Sequence, residues 1–340
     1  MKTAVLATLD PARSLVPGQD RADTRIRING LDDMFRSYVE QWLAYLRSEG
    51  KQPRTLNTYA ESLRLLGQFL QRRGYPTDPQ QIERRHIQAF MTELLETIDA
   101  ATGKPKWSKA TAANRFRACQ QFFRWLIEVQ EEIDVSPMAK LHPPKLDDVK
   151  PPVISLDGLR VLLGSCGKRR EFRDSRDYAI LLALIDSGMR LEECTNIMQS
   201  DFDSQLGRIR VMGKGRKERT IQLGATAINA ILAYQRRYRS THPWAKRCDN
   251  LWLGPKGPVT ESGIYQMVVA RGEAAGLGKI NPHQFRHTSS HLAKVMGMRD
   301  EDIMYKHGWS TTAMLRRYGA SAAEERSQAA QREFSLGDRL

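Results

Sequence analysis

"GRIRVMGKGRKERTIQLG", Gly207–Gly224, alternates apolar and polar residues on both sides of a glycine-rich, basic tip. Ile209 and Val211 share one parity before the tip, and Ile221 and Leu223 share one after it. Each run therefore has a single face to bury, as two antiparallel strands joined by a turn do. Almost everything around this hairpin follows the helical period instead. "DYAILLALIDSG" before it is apolar nearly all round and reads as a deeply buried helix. "TAINAILAYQRRYRS", "ESGIYQMVVARGEAAG", "HQFRHTSSHLAKVMG" and "EDIMYKHG" after it read as further helices, with one short strand in "NLWLG". The chain beyond Asp157 is thus expected to be mostly α with a small β-sheet.

The half before it reads as a helical bundle. Residues 1–30 lack apolar periodicity and are rich in Arg, Asp and Pro, the composition of a flexible arm. Met34, Tyr38, Trp42 and Leu46 recur at four-residue steps and predict a helix stopped by Gly50 ahead of Pro53. Leu56, Tyr59, Leu63, Leu66 and Leu70 predict a second, ending at Gly74. A third is expected from Pro79 to Ile98, with Ile87, Phe90, Met91, Leu94 and Leu95 inward. A fourth starts at Ser108, a good N-cap, and puts Phe122, Phe123 and Trp125 in the core. Pro137, Pro143, Pro144, Pro151 and Pro152 then forbid helix and hold the chain extended. The expected layout is an arm over 1–30, a helical domain over 31–136, a linker over 137–154, a second domain over 155–320 and a tail over 321–340.

Composition narrows the function. The 340 residues carry 41% hydrophobic content, enough for two cores, and a net charge of +14. An excess of that size favours a polyanionic partner, nucleic acid or an acidic surface. No run of about 18 apolar residues is present, so no membrane span is expected. Asp10 and Pro11 interrupt the weakly apolar start, which makes a poor signal peptide. Cys119, Cys166, Cys194 and Cys248 form no CxxC pair and read as reduced thiols of a cytoplasmic protein.

Four places could carry chemistry. In "DSGMRLEE", Arg190 follows a glycine at the end of the buried helix; its planar fork suits two oxygens of a phosphate, or a salt bridge to Glu192 or Glu193. In "MGKGRKER", Lys214 lies between two glycines and is followed by Arg216, Lys217 and Arg219, so the tip is either a phosphate-touching finger or an exposed charged turn. In "NPHQFRHTSSH", His283 and Arg286 share a helix face and could supply a proton relay and an oxyanion clamp. His283, His287 and His291 also stand at metal-like spacing, but no carboxylate or cysteine joins them and the basic surroundings repel a cation. In "HGWSTTAMLRRYGA", His307–Ala320, Tyr318 is either a helical core residue or a nucleophile, since a phenol titrating near ~10 needs adjacent positive charge and a proton acceptor.

Taken together these residues resemble the tyrosine recombinases, the phage-integrase family. Its ordered set of Arg, Lys, His-x-x-Arg, His or Trp, and Tyr is matched by Arg190, Lys214, His283, Arg286, Trp309 and Tyr318, at intervals of 24 residues from Arg190 to Lys214, 23 from Arg286 to Trp309 and 9 from Trp309 to Tyr318. "TLNTYAESLRLLGQFL" and "TAANRFRACQQFFRWL" are similar to the two hallmark helices of the family's core-binding domain. The likeness runs from near Leu31 to near Ala320.

The resemblance implies an N-terminal SAM-like helical domain and a C-terminal catalytic domain closing around duplex DNA as a clamp. It implies that Tyr318 attacks the scissile phosphate to give a 3′-phosphotyrosine and a free 5′-hydroxyl. Arg190 and Arg286 would hold the non-bridging oxygens, Lys214 would protonate the leaving oxygen, His283 would be acid and base, and Glu193 would help orient the site. No metal, ATP or other cofactor is implied. The partners it implies are specific double-stranded DNA sites, a homotetramer on two of them and, in some members, a directionality factor. The chain departs from the family pattern in "SGMR" and in placing Trp309, a donor without an acceptor, where most members carry histidine; His307 lies two residues off register.

Beyond the active site, Lys106, Lys109, Arg115, Arg117 and Arg124, with no acidic residue among them up to Leu126, are expected to track phosphates, together with Arg216 and Lys217. Phe334 and Leu336 are candidate anchors of a tail docking on a neighbouring subunit. With about 30 residues ahead of the first helix, an Xer-like or minimal integrase is expected rather than one with an arm-binding domain. The competing readings are a non-catalytic DNA-binding protein on the same scaffold, a type IB topoisomerase or hairpin telomere resolvase, and a metal-dependent nuclease, which would want clustered Asp and Glu.

Overall fold

The structure, a computed structural model, describes residues 28–147, 151–213, 217–312, 314–315, 327–328, 331–332, 334–335 and 337–339. The chain divides into two compact units, Met1–Asp148 and Val149–Leu340.

The first unit is built on α1 (Asp33–Ser48), α2 (Pro53–Arg73), α3 (Arg84–Glu96) and α4 (Lys109–Glu128). Asp32 caps α1 by accepting the Phe35 amide at 2.9 Å, and Ser108 caps α4 by accepting that of Thr111 at 3.1 Å. Gly74 ends α2 in the left-handed conformation. An aromatic seam joins the helices: Trp42 stacks on Tyr59 at 5.2 Å and meets the edge of Phe122 at 5.5 Å, and Phe122 meets Phe35 at 5.9 Å. The buried face of α1 is Phe35, Val39, Trp42, Leu43 and Leu46. Met34, expected inward, is exposed, because each four-residue step overshoots a turn by about 40° and a ladder of such steps drifts off the stripe. Leu95 is likewise exposed, lying one residue round from buried Leu94. The third helix is shorter than expected. Pro79–Gln81 form a separate 3-10 turn, and Glu83 restarts the helix with its amide donating to His86 Nδ1 at 3.0 Å.

The second unit runs α5 (Leu156–Gly164), α6 (Phe172–Ser187), α7 (Leu191–Thr195), β1 (Phe202–Asp203), β2 (Arg208–Met212), β3 (Glu218–Gln222), α8 (Ala225–Tyr234), β4 (Leu253–Gly254), β5 (Gly257–Pro258), α9 (Glu261–Ala274), α10 (Pro282–Val295) and α11 (Asp300–His307). The hairpin read from the sequence is β2 against β3, antiparallel, with Arg208 opposite Gln222 and Met212 opposite Glu218; β1 adds a short third strand. Ile209, Val211 and Ile221 point into the same core as α6, whose residues from Ala179 to Leu184 are all buried. Two charged residues of α6, Arg176 and Asp177, are buried too, and they are paired. Arg271 on α9 donates to Asp174 and Asp177 at 2.7 Å, and Asp177 also accepts from Arg176 at 2.7 Å. This fixes α9 on α6 with buried charges answered in kind. The fold is therefore mostly α with small sheets, as the two sequence periods imply. Among the described residues no helix is long and apolar enough to cross a membrane.

Candidate active site

The site is organised by the way α6 ends. Gly188 takes φ +58°, left-handed, and terminates the helix. The chain then turns at once, so that Arg190 becomes the residue that starts α7. Only glycine fits this turn: a Cβ would lie 3.0 Å from both Nδ1 of His307 and Cβ of Ser289. The Gly188 carbonyl accepts Nη1 of Arg286 at 2.9 Å. One backbone corner thus ties together the segments that carry the two arginines.

Glu193, in the first turn of α7, accepts the Arg190 amide on Oε2 and Arg190 Nη1 on Oε1, each at 2.8 Å. From the other side Arg219 of β3 donates Nη1 to Oε1 at 3.0 Å and Nη2 to Oε2 at 2.7 Å. Its Nε donates to the Lys306 carbonyl at 2.9 Å. The Glu193 and Arg219 side chains are buried, at 3% and 7% exposure, while Arg190 is open at 39%. Burial alone would raise the Glu193 carboxyl. The hydrogen bonds from Arg219 and the Arg190 amide, with the charge of Arg219, outweigh it and hold the group at about 2.

Arg286 is 1% exposed. Its Nη2 donates to the His307 carbonyl, and its Cζ lies 5.3 Å over the Trp309 ring. His307, fully buried, stacks on Trp309 at 4.7 Å and 19°. Burial, and then the charges of Arg286 and Lys306, push its pKa well below the usual 6.5, so the ring is neutral at physiological pH. Trp309 closes a small apolar cluster with Ala293, Ile303 and Leu315. His307 is therefore a flat spacer between Gly188 and Trp309, and the tryptophan joins the end of α11 to the stretch that leads toward Tyr318.

His283 is exposed in the first turn of α10, which Asn281 caps by accepting the His283 amide at 3.0 Å. Its ring meets His287 edge-on at 4.5 Å. His287 and His291 are buried, so the three histidines do not present one open face. Among the described residues no group of three or more His, Cys, Asp or Glu could hold a metal ion. Lys214, Arg216 and Tyr318 lie outside the described residues, as do Leu336 and most of the tail. Phe334 is exposed.

Of the expected phosphate contacts, Lys106, Lys109, Arg117, Arg124 and Lys217 are exposed. Lys109 pairs with Asp147 at 2.9 Å and Arg124 with Glu128 at 2.8 Å, so carboxylates beyond Leu126 partly neutralise the basic face. Arg115 departs from expectation. It is 7% exposed and its guanidinium lies 4.2 Å over the Trp107 ring, which makes it part of the packing under that face. Sequence reasoning also missed Arg219, which it counted only among the basic residues of the tip. The available signal was its parity: it shares the inward face of β3 with Ile221.

Residues 156–325 match the family model described as the phage integrase family, and residues 38–132 match the phage integrase N-terminal SAM-like domain. The chain is 29% identical over 259 residues to the tyrosine recombinase XerD of Listeria innocua, covering 75% of this chain and 84% of that protein. It is 29% identical over 267 residues to the tyrosine recombinase XerC of Pelotomaculum thermopropionicum, with the same coverage of 75% and 84%. Among solved structures it is similar to the XerH site-specific recombinase bound to palindromic difH substrate, with a TM-score of 0.68, 19% identity and coverage of 91% of each chain. The Tn1549 transposon integrase in complex with a circular intermediate DNA gives a TM-score of 0.65 at 17% identity, covering 86% of this chain and 99% of that one.

Proposed function

The chain belongs to the phage integrase family and is a tyrosine-type recombinase, an enzyme of DNA strand breakage and rejoining; within that frame we propose that Tyr318 is its nucleophile and that Arg190, Lys214, His283, Arg286 and Trp309 serve it. The observation that carries this reading is the Gly188 corner, which gathers the Arg190 turn, the Arg286 helix and the His307–Trp309 stack at one end of α6.

Attack by the Tyr318 phenolate on the scissile phosphorus forms a P–O(Tyr) bond and breaks the bond to the 5′-oxygen. Lys214 gives that oxygen its proton, and His283, exposed at a helix start, takes the proton of the phenol. Arg190 presents an open fork to the non-bridging oxygens. Arg286 contributes charge from beneath, its guanidinium oriented by the Gly188 and His307 carbonyls. The bond energy is kept in the phosphotyrosine, so a 5′-hydroxyl from a partner strand reverses the step without ATP. Charge on the phosphorane is met by arginine, so no metal is required.

On the same reading, residues 31–136 are the core-binding domain, 155–320 the catalytic domain and 321–340 a tail that docks on a neighbour. The two domains clamp specific duplex sites, a homotetramer joins two of them with a directionality factor where one is used, and the enzyme works on cytoplasmic DNA. A nicked suicide duplex carrying the site, incubated with protein in EDTA and run on a denaturing gel, tests the assignment. Wild type should trap a covalent adduct, and Tyr318→Phe should bind without trapping. An adduct that persists in Tyr318→Phe assigns the nucleophile elsewhere. Wild type that binds a verified site without ever trapping is a DNA-binding protein only.

A further inference from the structure

We propose that Arg219 is a positioning residue for Arg190: it answers the Glu193 carboxylate from inside the fold, so that the Arg190 guanidinium keeps its charge for the scissile phosphate. The inference rests on the recombinase reading above. A carboxylate has about four acceptor positions, and four donors fill those of Glu193: the Arg190 amide, Arg190 Nη1, and Nη1 and Nη2 of Arg219. An oxygen acceptor on residue 193 sets the α7 turn, but the charge of Glu193 by itself would cancel Arg190 at 2.8 Å. With Arg219 present, two cations share one anion and the cluster is left with one net positive charge, on its solvent side, where Arg190 is.

The surroundings are shaped for this pair. A Cβ on Gly308 would lie 3.2 Å from Nη1 of Arg219, and one on Gly213 would lie 3.4 Å from Nη1 of Arg219 and 3.5 Å from Oε1 of Glu193. The third arm of Arg219, Nε on the Lys306 carbonyl at 2.9 Å, fixes the end of α11 just before His307 and Trp309. Arg219 therefore links the Arg190 turn, the base of the hairpin and the Trp309 segment, although it is itself buried and has no open face toward DNA.

Charge balance gives a test that a merely structural role would not pass. Rates of adduct formation on the suicide duplex are compared for wild type, Arg219→Met, Arg219→Lys and Arg219→Met/Glu193→Gln, with single-site binding and melting as checks of folding. Arg219→Met should bind its site yet trap at least about tenfold more slowly. Adding Glu193→Gln removes the anion that Arg190 would otherwise meet alone, and should recover much of that loss. Arg219→Lys, which keeps the charge, should trap faster than Arg219→Met and carries the comparison if the methionine variant does not fold. Folded Arg219→Lys as slow as Arg219→Met, a double variant no faster than Arg219→Met, or Arg219→Met at the wild-type rate overturns the proposal. Wild type that does not trap overturns the recombinase reading with it, whereas wild type that traps beside an unrescued Arg219→Met removes only this inference.

Discussion

Gly188→Ala tests the corner on which the site is built. The substitution places an L side chain at φ +58° and its Cβ against the His307 ring, 3.0 Å from Nδ1, and 3.0 Å from Cβ of Ser289. The left-handed conformation costs an alanine about 1 kcal/mol relative to glycine, and forcing a methyl into a filled core costs about 1–3 kcal/mol more. The sum, about 2–4 kcal/mol, corresponds to a melting shift of roughly 5–15 °C in a domain of this size. Because the chain divides into two compact units, denaturation of the full chain should be followed by hydrogen exchange, with peptides from α6 and α10 expected to lose protection and those from α2 expected unchanged. The Arg286 anchor is the carbonyl of the same residue, so adduct trapping should fall as well. In a His307→Ala background most of the overlap is gone, and the penalty of Gly188→Ala should shrink toward the conformational cost alone. A penalty below about 0.5 kcal/mol, or an equal one with and without the His307 ring, would refute the packing argument.

The Glu193 carboxyl is depressed from 4.5 to about 2, so the stability it contributes is present above about pH 4.5 and is lost as pH falls toward 2; the shift corresponds to about 3 kcal/mol, and Glu193→Gln should flatten this acid limb in urea titrations at pH 2–5. His307 is depressed in the opposite chemical sense: the unfolded ring binds a proton that the folded one refuses, so stability is full above 6.5 and declines below it. NMR of the labelled ring should find it neutral at pH 6, and a protonated ring there would contradict the stack described. Burial pushes the thiols of Cys119 and Cys194 up to about 12 and that of Cys166 to about 11. A thiol reagent on native protein should therefore modify Cys248 ahead of the other three, which react only on unfolding. Asp177→Asn strips the charge that answers Arg176 and Arg271, and should cost about 3–5 kcal/mol by urea denaturation, since it leaves two guanidinium groups around a neutral amide.

What was legible in the sequence follows from what periodicity measures. It reports which side of an element meets apolar neighbours, so the β2–β3 hairpin, the all-round burial of α6 and the cap at Ser108 could be read directly. It is weaker on phase: the four-residue ladder of Met34, Tyr38, Trp42 and Leu46 named the helix but placed its stripe off centre, and packing against Phe122 selected Phe35 instead. Motif spacing gathered Arg190, Arg286 and Trp309, which the fold does bring to one corner. It named Glu193 as a supporting residue but was silent on Arg219, whose partners are distant in sequence: Arg219 and Glu193 are separated by 26 residues, and Arg219 and Lys306 by 87. Basic residues invite the opposite error. Arg115 and Arg219 both sit in runs that look like phosphate-tracking surface, yet one lies under Trp107 and the other under Gly308. Charge composition cannot separate the two kinds, but parity can. An arginine on the apolar side of its own strand or helix must be answered by a buried anion, a carbonyl or a ring. In Arg219 all but the last of these are found at once: the Glu193 carboxylate and the Lys306 carbonyl both accept from it.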